Sequence, residues 1–154
     1  MRTFSTLQGQ VIPYLASLLP VLCQKLQEAA KNPTKPHFNH YLFEALCLSI
    51  RIVCSSQPEA VGNFEEVLFP VIQVILTEDV QEFVPYVFQI LSLLLEYHNP
   101  GSIPEAYMAL FQFLLIPVLW ERQGNIKPLV RLIQAYIRIG SAQVSILDIS
   151  TTFK

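Results

Sequence analysis

His37 and His40 stand three residues apart, and Glu44 follows four residues later. Such spacing can place two imidazoles on one metal ion, with a carboxylate close by. No third ligand follows at helical spacing, so the group is read as the solvated edge of a helix; an enzyme with the histidine pair as its metal centre is the alternative. Cys47 and Cys54 are seven apart on one helical face among apolar neighbours. A nucleophilic thiol needs a base and an orienting group, and neither accompanies them, so a core role fits both. His98 is read as ending a helix, where its partial charge suits the carbonyl end. The five glycines are scattered and form no phosphate-cradling loop. Glu65, Glu66, Asp79 and Glu82 start or flank helices, where they complement the dipole, and Asp79 with Glu82 reads as a capping pair. The expectation is therefore no catalytic residue, no metal and no cofactor, which leaves surface as the working part.

Composition points the same way. The chain has 154 residues, enough for one structural unit. Its hydrophobic fraction is 52% and its charged fraction 14%, against about 45–50% and about 25% in an average soluble domain. A chain this apolar either meets lipid or has faces meant to be covered from outside it. No stretch is read as a spanning helix: Thr3 to Gln24 is charge-free but carries glutamines, a glycine and prolines, and Ala106 to Trp120 is too short. Arg2 ahead of the first apolar stretch has the order of a secretory signal, but a short core helix is preferred. The net charge of −2 opposes polyanion binding. Three cysteines, Cys23, Cys47 and Cys54, are an odd number in apolar contexts, which suits buried reduced thiols in the cytoplasm or nucleus.

The elements follow from periodicity. Between Asn39 and Ser55 the polar residues His40, Glu44, Arg51 and Ser55 fall within about 60° of a helical wheel. Gln81, Gln89, Ser92 and Glu96 repeat the design within about 80°, and Lys127, Arg131, Gln134 and Arg138 within about 60°. Partner helices are predicted at about 8–30, 58–77 and 104–122. SQPEA at Ser56 and SIPEA at Ser102 read as helix starts, with the serine as N-cap, proline in the first turn and Glu59 or Glu105 reaching back. Pro20, Pro70 and Pro117 recur in LPVL, FPVI and IPVL, where a bend is expected. Antiparallel helix pairs at this period, each with a bent first helix, make a HEAT-type pattern.

The predicted fold is therefore all-α, a right-handed α-solenoid of about three repeats at roughly 4–57, 58–100 and 101–140. No polar terminal cap is apparent, so a slice through a longer superhelix is expected, able to self-associate through its ends. Residues 141–154 show no helical stripe, so a loose tail is expected. In a stacked solenoid the second helices line one wall whose outward edges meet the partner. That wall would present His37, His40, Glu44 and Arg51, then Glu82, Gln89 and Glu96, then Lys127, Arg131 and Arg138, running from mixed to acidic to basic.

Four passages carry a more specific likeness: PHFNHYLFEALCLSIRIVC from Pro36, NFEEVLF from Asn63, DVQEFVPYVFQILSLLLE from Asp79, and YMALF, PVLWERQGNI and LVRLIQA between Tyr107 and Ala135. They closely resemble the cellular apoptosis susceptibility family, exportins of the importin-beta class. The resemblance covers about residues 10–139. It implies a HEAT-repeat export receptor that returns importin-alpha to the cytoplasm with GTP-bound Ran and so moves between nucleus and cytoplasm. It also implies an interior portion, without the N-terminal arch that carries main Ran contacts in the family, and not export-competent alone. A generic HEAT-repeat scaffold or regulatory subunit outside transport is the alternative.

Overall fold

A computed structural model describes residues 2–152, with side chains at 10, 12–15 and 17–145. Among them the regular structure is helical: α1 (Arg2–Lys31), α2 (Pro36–Ser56), a 3-10 turn (Pro58–Ala60), α3 (Val61–Thr77), α4 (Val84–Leu95), α5 (Glu105–Leu114), α6 (Pro117–Glu121) and α7 (Gln123–Thr152). They divide into two compact units, Met1–Val84 and Pro85–Lys154.

In the first unit α1 packs against α2 and α3. Cys23, Leu26 and Ala30 bury one stripe of α1 at intervals of three and four residues, the spacing of one helical face. Leu42, Phe43, Leu46, Ile50, Val53 and Cys54 answer from α2, and Phe64, Leu68, Val71, Ile72 and Ile75 from α3. Each fully buried large side chain in such a core contributes about 1.5–3 kcal/mol of transfer free energy. Phe43 and Phe83 meet edge-on at 5.1 Å. Buried polar groups are satisfied locally: Asn39 Nδ2 donates to the Pro33 carbonyl at 3.1 Å and Ser49 Oγ to the Ala45 carbonyl at 2.8 Å. The segment Pro58–Thr77 is long and apolar enough to cross a membrane by length and composition, contrary to the expectation of no such segment. Six buried α3 side chains lie in the core of this unit.

In the second unit α4 is apolar around its circumference and buried on nearly every side from Val87 to Leu95. A Tyr136–Tyr107–Phe111 cluster ties α7 to α5: Tyr136 Oη donates to the Tyr107 carbonyl at 2.7 Å, and its ring lies 5.0 Å from that of Phe111. His98 packs edge-on against Tyr107 at 5.8 Å.

Several local expectations are corrected. Ser56 and Ser102 are not N-caps. Ser56 is the last residue of α2 and its hydroxyl donates to the Ile52 carbonyl; α5 opens at Glu105 behind an extended Pro104, with no side-chain cap. Asp79 stands at φ 48°, five residues ahead of the start of α4. Pro20 and Pro70 remain inside α1 and α3, whereas Pro117 breaks its helix in two. Ile116 is extended, as the residue before proline prefers, and Pro117 becomes the first residue of α6. Trp120 Nε1 and Asn125 Nδ2 then donate to the Leu114 and Leu119 carbonyls at 2.8 and 3.0 Å, so carbonyls released at the corner are repaired. The loose tail expected after 140 is also replaced: α7 turns at Gly140 (φ −147°, ψ 53°) and is helical again to Thr152. Residues 153–154 of that expectation lie outside the described residues.

Candidate protein-binding surface

The α2 edge presents His37, His40, Glu44 and Arg51, all exposed. Their common face follows from helical spacing, and the buried stripe through Phe43, Leu46 and Ile50 turns them outward. Beside them, and not expected, are exposed apolar groups: Phe38 at 47%, Tyr41 at 71% and Leu48 at 56% exposure. The His40 and Tyr41 rings meet at 5.6 Å. No cluster of three or more His, Cys, Asp or Glu side chains able to hold a metal ion occurs among the described residues.

The acidic stretch is less uniform. Glu82 is exposed ahead of α4, while Gln89 and Glu96 are half-buried. Ser92, expected on the same wet edge, is fully buried, and its hydroxyl has no hydrogen-bond partner. The narrow polar stripe is therefore interrupted in the middle of α4.

On α7 the expected cations come together. Lys127, Arg131 and Arg138 line an open groove of about 610 Å³ with Gln134, Ile126, Val130 and Glu96. Arg131 Nε lies 3.7 Å from Glu96 Oε1, with side chains 49% and 27% exposed, a contact too long for a strong hydrogen bond. The groove floor is apolar: Ile126 and Val130 are 39% and 40% exposed, and Ile137 continues the stripe at 52%. Of the anticipated wall, Glu96, Lys127, Arg131 and Arg138 thus share one groove. His37, His40, Glu44, Arg51 and Glu82 belong to the other unit. Ile126 and Val130 were missed because an apolar residue beside a polar stripe reads as core until its neighbours are known; their wheel position next to Gln134 was the only signal.

Cys23, Cys47 and Cys54 are buried and form no disulfide. Burial raises the Cys23 thiol, and burial followed by the charge of Glu65 pushes Cys54 up to about 11. Neither is poised as a nucleophile, which requires thiolate.

Comparison with known proteins places the chain in a family. The chain is 62% identical over 145 residues to exportin-2 of Danio rerio and 61% identical to that of Homo sapiens; each alignment covers 94% of this chain and 15% of the relative. The chain therefore spans about 15% of the length of these relatives. A solved structure, "The exportin Cse1 in its cargo-free, cytoplasmic state", matches with a TM-score of 0.81 at 32% identity, over 92% of this chain and 15% of that one. The fold class is accordingly the all-α solenoid of that exportin. The family model described as "CAS/CSE protein, C-terminus" matches residues 1–150, and the chain belongs to the CAS/CSE family of exportins.

Proposed function

We propose that this chain is a protein-binding HEAT-repeat segment, lying in the interior of a nuclear export receptor that returns importin-alpha to the cytoplasm together with GTP-bound Ran. The observation that carries the reading is the identity of about three residues in five with exportin-2, sustained along 94% of the chain. The exposed polar edges beside apolar side chains on α2 and α7 supply the kind of surface a protein partner covers. Its work is done by shape and surface chemistry, in both nucleus and cytoplasm. Because these 154 residues correspond to about 15% of the relatives, they supply binding area and not the whole transport cycle.

The test is retention of importin-alpha on the immobilised chain, with and without Ran loaded with a non-hydrolysable GTP analogue. Importin-alpha should be retained in both conditions. Equal retention of an unrelated helical-repeat protein, or none of importin-alpha in either condition, overturns the assignment.

A further inference from the structure

The α7 groove has a composition that selects its occupant. Three cations, Lys127, Arg131 and Arg138, face it alongside an apolar rail of Ile126 and Val130, and among the described residues Glu96 is the one carboxylate in its lining. Glu96 approaches Arg131 only to 3.7 Å, and both side chains remain partly exposed. A better-placed carboxylate, taken bidentately by the guanidinium, would displace that contact.

Helix geometry sets the spacing. At 1.5 Å per residue, Lys127 and Arg131 lie about 6 Å apart along the axis, and Arg131 and Arg138 about 10 Å apart. An extended chain advances about 3.3 Å per residue and carries alternate side chains on one face, so acidic residues two and then four positions apart would face the three cations in turn, the long Arg138 side chain taking up the difference in spacing. The side chains between them fall beside Ile126 and Val130. The groove volume, about 610 Å³, lies within the range of about 300–1,000 Å³ usual for ligand clefts.

We propose that this groove docks an extended acidic segment of a partner protein, its carboxylates on Lys127, Arg131 and Arg138 and its aliphatic side chains on Ile126 and Val130. The apolar rail and the net charge of −2 favour a peptide over a nucleic acid, whose affinity rests on phosphate contacts. The proposal rests on the reading of the chain as a protein-binding segment and adds the chemistry of one partner element.

The test titrates the full 154-residue chain into a fluorescent heptapeptide, Glu-Leu-Glu-Val-Ser-Leu-Glu, and follows anisotropy. Saturable binding is expected. The Arg131→Gln, Arg138→Gln double variant should weaken it at least tenfold and Val130→Asn severalfold, while Arg51→Gln on α2 leaves it unchanged. These side chains are exposed, so circular dichroism should be the same for all variants. No saturation by millimolar peptide, equal binding of a peptide with Gln for Glu, or indifference to the double variant overturns the proposal. So does heparin binding tightly while Val130→Asn has no effect on either ligand, which would mark a plain polyanion site. Retention of importin-alpha is measured in parallel. Its failure overturns the export-receptor reading without altering the peptide result, and its success without peptide binding overturns the groove alone.

Discussion

Cys54 lies in the core between α2 and α3, where removal from water and then the nearby Glu65 carboxylate favour the neutral thiol and raise it from 9.0 to about 11. A group held protonated in the folded state stabilises that state fully below its unfolded value, and the stabilisation is lost as pH rises through the folded value. Urea midpoints should therefore hold steady up to about pH 9 and fall between about 9 and about 11, with a shallower fall in Cys54→Ala. Tyr136, whose phenol burial also raises, adds to the decline above about pH 10. At pH 8 the native thiol should resist iodoacetamide while the urea-unfolded chain reacts. Ser92 makes a second prediction. Its hydroxyl is buried without a partner, an arrangement that costs about 1–3 kcal/mol. Ser92→Ala should accordingly stabilise the chain by about 1 kcal/mol in urea denaturation; an unchanged or lowered midpoint would show that the hydroxyl is satisfied. The sequence placed Ser92 on a wet edge because its wheel angle matches Gln89 and Glu96. Angle alone does not say how wide a helix face its neighbours cover.

At the scale of elements, glycines and prolines decide where helices run and where they turn. A Cβ on Gly140 would collide with the Ile103 side chain, and the strand of loop beside it is already pinned by Ile103 N–H donating to Gln143 Oε1 at 2.9 Å. Gly101, at φ 92°, donates from its N–H to the Ile139 carbonyl, so the 99–103 loop grips both sides of the turn in α7. Gly140→Ala should thus cost about 1–3 kcal/mol, as overpacking does. Gly62 near the start of α3 has open space around it, and Gly62→Ala should gain about 0.5–1 kcal/mol from helix propensity. Thermal denaturation of the two variants should move in opposite directions; a shared direction would mean that Ile103 yields freely. The existence of most helices was legible, because polar residues at 40, 44, 51 and 55, or 127, 131, 134 and 138, repeat at the helical period. Their ends were not. The serine–proline–glutamate phrases matched a start signal, yet Ser56 still had a carbonyl of its own helix within reach at Ile52. Three similar proline phrases gave two continuous helices and one break, because only at Pro117 do Trp120 and Asn125 repair the corner with side-chain donors.

For the molecule as a whole, the excess of apolar residues was visible in composition, and its location becomes specific only with the fold. The cationic part of the candidate surface was readable from Lys127, Arg131 and Arg138, while its apolar half was hidden among residues that look like core. The same ambiguity affects α1, where Tyr14, Leu18 and Val21 form one face at intervals of four and three residues and are 76%, 42% and 49% exposed. Helical repeats ordinarily bury such faces on a neighbour, and in a solution of this chain alone the available neighbour is a second copy. Sedimentation equilibrium should show an average mass that rises with concentration. Tyr14→Lys with Val21→Lys should return it toward the monomer, since charge on that face must be desolvated to associate, and should leave the circular dichroism unchanged. The groove variants Arg131→Gln and Arg138→Gln lie in the other unit and should leave the mass distribution as it was. A chain that stays monomeric at every concentration would mean that the α1 face is too small or too interrupted to bury itself, and association would then depend on the partner and not on the exposed face.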